Sequence, residues 1–272
     1  MTIRFQASAN LQHPGRGGGE ASHLSHAPAE LLIRKLESIG ALSPAERAAL
    51  RRLEMTPVSV DAHHDIVCEG ASPTAVTLLL HGFLCRYKLV ADGKRQIMSF
   101  HIPGDIPDLP TLFLDVTDFN VCSLTSSQLA VIPHSALLAL FAEQRQLAYL
   151  FWRNTLIDAA VFREWIVGIG RRSAFVRIAH LFCEMIVRMQ AVGLSSNYSV
   201  ELPLTQTDIA DALGLSTVHV NRTLQEIRAA GLIKFFRGRL IAIDWPGLRK
   251  AGEFEQVYLH VQKAAASVPP AR

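Results

Sequence analysis

Leu204 to Ile233 reads LTQTDIADALGLSTVHVNRTLQEIRAAGLI, and this stretch decides the fold of the C-terminal part of the chain. It carries start and stop signals for two short helices with a tight turn between them. Thr205 is an N-cap with Asp208 three residues on, a Thr-x-x-Asp variant of the capping box, and Ile209 and Leu213 mark the buried side of the helix that follows. Gly214 ends that helix. Ser216 is a second N-cap, after which Val220, Leu224 and Ile227 fall at i, i+4 and i+7 before Gly231 stops the pattern. The reading is a helix-turn-helix. Thr217, Val218, Asn221, Arg222, Gln225 and Arg228 point away from the buried side, the first four on the opening turns that a recognition helix offers to the major groove. A two-helix hairpin with a polar outer face and no nucleic-acid role has the same pattern, so the flanking residues have to separate the two.

Downstream, the apolar runs Leu232 to Phe236 and Arg239 to Ile243 flank Arg237-Gly238, which predicts a β-hairpin with a basic tip, the wing of a winged helix. From Thr205 to Lys250 seven Lys/Arg stand against four acids, net +3, the sign that a phosphate backbone favours. From Met55 to Leu140 the balance is reversed, eight acids against four bases. Only the C-terminal region suits a polyanionic partner.

The segment DIADALGLSTVHVNRTLQEIRAAGLI, with its wing, resembles the Crp/Fnr transcription regulators, and the resemblance extends upstream over nearly the whole chain. It implies a cytoplasmic, dimeric, DNA-binding protein of α+β class: an N-terminal antiparallel β-roll like a cyclic-nucleotide-binding domain, a long dimerisation helix and a C-terminal winged helix-turn-helix.

The 272 residues, 49% of them hydrophobic, suffice for two domains. No apolar run approaches the ~18 to 20 residues of a membrane span, so no membrane association is expected. Residues 1 to 27, rich in Gly, Ser, His and Ala, read as a flexible tail, and His13, His23 and His26 in it have nothing to hold them as metal ligands. Two helices follow, Pro28 to Ile39 and Ser43 to Leu53, the second with Ser43 as N-cap, Pro44 at N1 and Glu46 completing a capping box. Cys68, Cys85, Cys122 and Cys183 are scattered without CxxC spacing and read as buried free thiols, with neither zinc nor disulfide framework. Some Crp/Fnr proteins hold an iron-sulfur cluster through closely spaced N-terminal cysteines. Here none precedes Cys68, and no cofactor is expected.

The β-roll and its flanking helices span 28 to 143. Its strands are expected at Asp65 to Cys68, Val76 to Leu80, Phe83 to Val90, Gln96 to His101, Phe119 to Thr125 and Leu129 to Ile132, with a hairpin at Asp92-Gly93. His63, His64, His81 and His101 are read as ordinary strand and loop residues. In relatives that bind cyclic nucleotides, a Gly-Glu-Leu cassette is followed by Arg-Ser/Thr-Ala. This chain has Pro107-Asp108-Leu109, so Asp108 and Leu109 mark the possible ligand pocket. Pro107 removes a backbone donor, and no Arg or Lys lies between Leu109 and Cys122, where Asp115 and Asp118 stand instead. Binding of cAMP in the usual way is not expected.

The stretch 144 to 169 reads as the dimerisation helix, with Leu147, Leu150, Asn154, Ile157 and Val161 on a seam of alternating three- and four-residue steps. A helix lying on its own β-roll is the alternative. Gly170 is read as the hinge that opens the winged-helix domain, 170 to 263, and 264 to 272 as a frayed end. The residues expected to touch DNA are Gln206, Thr217, Val218, His219, Asn221, Arg222, Gln225 and Arg237, with Arg222 reading guanine. Double-stranded DNA, a second copy of the chain and, for an activator, RNA polymerase are the expected partners. A small-molecule-binding module whose winged helix contacts protein is the alternative function. An enzyme is disfavoured, because there is no nucleophile elbow, phosphate loop or HExxH motif.

Overall fold

The structure, a computed structural model, describes residues 28 to 262, so the expected tail at 1 to 27 and the expected frayed end at 264 to 272 lie outside the described residues. Helices α1 (Pro28–Glu37) and α2 (Pro44–Arg51) lead into the roll. α2 starts as its residues dictate: Ser43 Oγ accepts from the Glu46 amide at 3.3 Å and the Glu46 carboxylate accepts from the Ser43 amide at 2.6 Å.

Seven strands follow: β1 (Thr56–Val60), β2 (Asp65–Val67), β3 (Ala75–His81), β4 (Leu84–Leu89), β5 (Arg95–His101), β6 (Asn120–Ser123) and β7 (Ser127–Pro133). They form two antiparallel sheets, β1-β7-β3 and β2-β6-β4-β5. The β4-β5 hairpin closes at Asp92-Gly93, where Gly93 has φ +80° and Asp92 Oδ1 accepts from the Lys94 amide. Leu78, Leu79, Leu84, Ile97, Phe100 and Leu129 fill the interior and are at most 2% exposed. Each such side chain contributes roughly 1.5 to 3 kcal/mol on burial. β1 is an addition to the expected strands: four of its five residues are exposed, so it lacks the alternation that marks a strand.

After α3 (His134–Glu143) comes α4 (Arg145–Arg171), which runs straight through Gly170. The break falls two residues later than expected, at Arg172 and Ser173, because Ser173 caps the next helix α5 (Ala174–Ala191) by accepting from the Val176 amide. The expected seam is also corrected. Leu147, Leu150, Asn154, Ile157 and Val161 are all 9% exposed or less, packed inside the chain against the roll and α1. The alternative held: this face of α4 lies on its own domain. A second 3-4 line, Tyr149, Trp152, Leu156, Ala159, Arg163 and Ile166, faces outward, with Tyr149, Trp152, Leu156 and Ile166 between 51% and 70% exposed.

The last part holds β8 (Ser199–Glu201), α6 (Gln206–Leu213), α7 (Thr217–Ala229), β9 (Ile233–Phe236), β10 (Arg239–Ala242) and α8 (Trp245–Ala251). Its sheet runs β8-β10-β9. β8 owes its strand character to its partner β10. Two polar junctions tie this part to the roll. Arg95 of β5 binds Asp208 and Asp211 of α6 at 2.8 and 2.9 Å, and Gln96 donates to the Ala212 carbonyl. Deeper in, fully buried Glu184 of α5 accepts from Trp165 of α4 and from the Tyr258 hydroxyl and pairs with Arg188, which reaches Asp105 of the roll.

Candidate nucleic-acid interface

The two helices of the motif are built by the caps the residues predict. Thr205 Oγ1 accepts from the Asp208 amide, and the Asp208 carboxylate accepts from the Thr205 amide at 3.0 Å and its hydroxyl at 2.6 Å. Gly214 closes α6 in the left-handed region at φ +64°, where a Cβ would be strained. Ser216 Oγ then accepts from the His219 amide to start α7. Val220, Leu224 and Ile227 are fully buried against α5 and α6. Burying that face obliges the other to look outward.

On the outward face Thr217, Val218, Asn221, Arg222 and Gln225 are exposed, Val218 at 78%, while Gln206 and His219 are half-buried. The structure thus brings the expected contact residues of the two helices onto one surface. Three of them are linked: Asn221 donates to the Gln206 side-chain carbonyl and Gln225 donates to that of Asn221, each at 3.1 Å. This amide relay crosses from α6 to α7 and fixes how their heads lie. Sequence reading missed the relay, although Asn221 and Gln225 sit at i, i+4 on one helix face, the spacing at which such pairs meet. Arg222 stays extended, with only a long contact of 3.8 Å to Glu226, both well exposed. A surface pair of that kind costs little to break.

Arg228 is exposed, as its place on the outer face predicts, but it is also tied down. Its guanidinium donates to the Phe235 carbonyl at 2.6 Å and pins the end of α7 to the wing. The wing is a two-residue turn between Phe236 and Arg239, with Arg237 at φ +47° and Gly238 at φ +72°. Arg237 stands exposed at its tip, with Lys234 and Arg239 exposed beside it. One surface therefore carries a polar helix face and a cationic wing.

The ligand-pocket expectation for Asp108 is corrected. Its carboxylate is 1% exposed and accepts from the Thr77 amide at 2.8 Å and the Thr77 hydroxyl at 3.0 Å, so its lone pairs are committed to β3. Burial raises its pKa to about 6, against the pull of those donors. Leu109 is also buried but borders an apolar cavity of about 280 Å³ with Phe113 and Trp152. Of the cysteines, Cys85, Cys122 and Cys183 are buried as read. Cys68 is exposed, at the turn that ends β2. His101 hydrogen-bonds Ser99 at 2.9 Å, and burial holds its pKa well below the usual value. Among the described residues no group of three or more His, Cys, Asp or Glu is placed to hold a metal, and no helix is long and apolar enough to cross a membrane.

Comparison with known proteins agrees with this geometry in both parts. Residues 57–144 match the cyclic nucleotide-binding domain family, and residues 176–251 match the Crp-like helix-turn-helix domain. The nitrogen fixation regulation protein FixK of Bradyrhizobium diazoefficiens is 29% identical over 208 residues, 74% of this chain and 85% of the relative. The transcriptional activator protein FnrL of Cereibacter sphaeroides is 27% identical over 188 residues, 64% of this chain and 71% of FnrL. The structure of FixK2 from Bradyrhizobium japonicum superposes with a TM-score of 0.67 at 25% identity, covering 73% of this chain and 98% of FixK2. With a roll, a long helix and a capped helix-turn-helix with its wing in this order, the chain belongs to the Crp/Fnr family of DNA-binding transcription regulators.

Proposed function

We propose that this regulator works in the cytoplasm as a homodimer that reads an inverted DNA repeat through α7, without cAMP. The observation that carries the reading is the outward face of α7, with an extended, unburied Arg222 among polar neighbours. Arg222 makes a bidentate contact to O6 and N7 of guanine. Asn221 and Gln225 act as the linked amide pair described above, with adenine as the base their groups match. Val218 cannot accept from cytosine and packs on a thymine methyl instead. Gln206, Thr217, His219 and Arg237 contact the phosphate backbone. Arg228, held by Phe235, stabilises the wing.

The outward line of α4 from Tyr149 to Ile166 supports the dimer, because its 3-4 spacing is that of a coiled-coil seam and its large apolar side chains are otherwise left in water. Two-fold symmetry then places two α7 helices on half-sites whose centres lie about 34 to 36 Å apart if they are one helical turn apart. The lack of a cation in the segment after Asp108, together with the use of Asp108 by Thr77, supports independence from cAMP. In an activator, RNA polymerase would be the further partner. The test is a binding-site selection on wild type and Arg222→Ala. The variant is expected to lose roughly 1 to 3 kcal/mol and its preference at one guanine per half-site. Recovery of the same motif with the guanine equally enriched refutes the docking.

A further inference from the structure

Two cysteines face each other on the sheet that the winged-helix part covers. Cys85 of β4 and Cys122 of β6 are direct cross-strand partners, and both thiols are free. Opposite residues of an antiparallel pair point to the same face with Cα atoms about 4.5 to 5.5 Å apart, inside the range of about 4.4 to 6.8 Å that a disulfide spans. Their strand neighbours Leu84 and Val121 pack inside the roll with Leu79 and Leu129. Cys85 and Cys122 belong instead to the core that continues through Ile209 and Leu213 of α6 and Cys183 of α5. The pair therefore lies on the outer face of the sheet, under α6.

Access to the pair is set by that cover. Cys85 is fully buried, and Cys122 is 7% exposed. Arg95 and Asp208, the two sides of the junction between β5 and α6, stand near enough for their charges to act on both sulfurs. Burial is the larger influence and pushes the Cys85 thiol up to about 12 and the Cys122 thiol up to about 11, so hardly any thiolate exists while α6 is seated. The cover itself is held at this edge by polar ties: Arg95 to Asp208 and Asp211, and Gln96 to the Ala212 carbonyl. Parting those ties opens a path to the sulfurs without unfolding the roll or the winged helix, a local opening of lower cost than global unfolding.

We propose that Cys85 and Cys122 are a gated modification site, a dithiol that low-mass disulfides oxidise to a cross-strand disulfide when α6 lifts off the roll. Once uncovered, Cys122 loses its proton to water, and its thiolate attacks one sulfur of the reagent R–S–S–R, forming a mixed disulfide and expelling RS⁻. The Cys85 thiolate then attacks the Cys122 sulfur, forming the Cys85–Cys122 bond and expelling the second RS⁻. The two cysteines are oxidised and the reagent is reduced to two RSH, which take up the two protons that the cysteines shed. The site needs neither a dimer nor DNA, so its outcome does not depend on how α7 reads bases.

The full chain carrying Cys68→Ser, which removes the exposed thiol, is treated with 2,2′-dithiodipyridine, and release of pyridine-2-thione is followed by absorbance. Two thiones per chain are expected, with no pyridyl label retained, a Cys85–Cys122 linkage found by peptide mass mapping, and Cys183 unreacted. Adding Cys85→Ser or Cys122→Ser should give one thione and one retained label. Arg95→Ala is expected to speed the reaction at least about tenfold, since it removes both ion pairs of the junction. Asp211→Asn, which keeps the tie to Asp208, is expected to speed it about threefold and covers the case in which Arg95→Ala fails to fold. Cys183, fully buried within α5, separates lifting of α6 from unfolding of the chain. The proposal is overturned if Cys183 is consumed as fast as the pair, if labels are retained without a Cys85–Cys122 linkage, if the pair stays reduced in every variant, or if neither junction variant changes the rate.

Discussion

Replacing Arg95 by Ala cuts the outer junction between the roll and the reading head, and its cost follows from the surroundings of each partner. The Asp208 side chain is 5% exposed, and Asp211 is 25% exposed. Asp208 keeps two donors after the change, the amide and hydroxyl of Thr205, so it is not left bare. What it loses is one charge-assisted hydrogen bond, about 1.5 to 3 kcal/mol in a buried setting. The contact to Asp211 is partly screened by water and adds about 0.5 to 1 kcal/mol. The sum is roughly 2 to 4 kcal/mol, which for a chain of this size lowers the melting midpoint by about 4 to 16 °C. Arg95→Lys should recover less than half, since an ammonium cannot span two carboxylates as the planar fork does. Urea unfolding of the variants, with double-mutant cycles to Asp208→Asn and Asp211→Asn, measures each part. A loss below about 0.5 kcal/mol for Arg95→Ala, or stronger coupling to Asp211 than to Asp208, refutes the reasoning.

Asp108 gives a pH signature. With a folded pKa of about 6 against an ordinary 3.8, the native state binds the extra proton, so this contribution is full below about pH 4 and is lost as pH rises through 6, by roughly 3 kcal/mol. Asp108→Asn imitates the protonated form, and its stability minus that of wild type should grow across that window; a flat difference rejects the burial argument. On α4, Leu156→Glu on the exposed line should convert the dimer to monomer by light scattering while leaving circular dichroism unchanged, whereas the same change one residue on, Ile157→Glu, buries a charge and should unfold the chain. A dimer that survives Leu156→Glu would remove this line from the interface. Ser216→Ala removes the cap of α7 and should cost about 1 kcal/mol in thermal unfolding. An unchanged midpoint would mean that the helix start is held by packing alone.

Much of the architecture was legible because it rests on local signals. The caps at Ser43, Thr205 and Ser216 and the turns at Asp92-Gly93 and Arg237-Gly238 are short-range features that the residues spell out and the structure contains. What depends on distant partners was not legible. β8 is a strand because β10 lies beside it, and β1 shows no alternation because most of it faces solvent. α4 is apolar on two sides, and periodicity finds both lines without telling which one the roll covers. It led to Leu147, Leu150, Asn154, Ile157 and Val161, the covered line. At the reading head the exposed face followed from the buried one, but the tie from Arg228 to Phe235 needed the wing's position.

The Glu184 junction bears on how the two parts of the chain can move. Trp165, Tyr258 and Arg188 all converge on this one carboxylate, and Arg188 carries the link on to Asp105. Turning the reading head about the break at Arg172 and Ser173 has to part Trp165 from Glu184 and Asp105 from Arg188 together, because Glu184 and Arg188 are themselves joined on α5. Such a joint does not drift through intermediate angles. It holds until a threshold is passed and then releases, so graded input to the roll would emerge at the DNA as a switch between discrete settings.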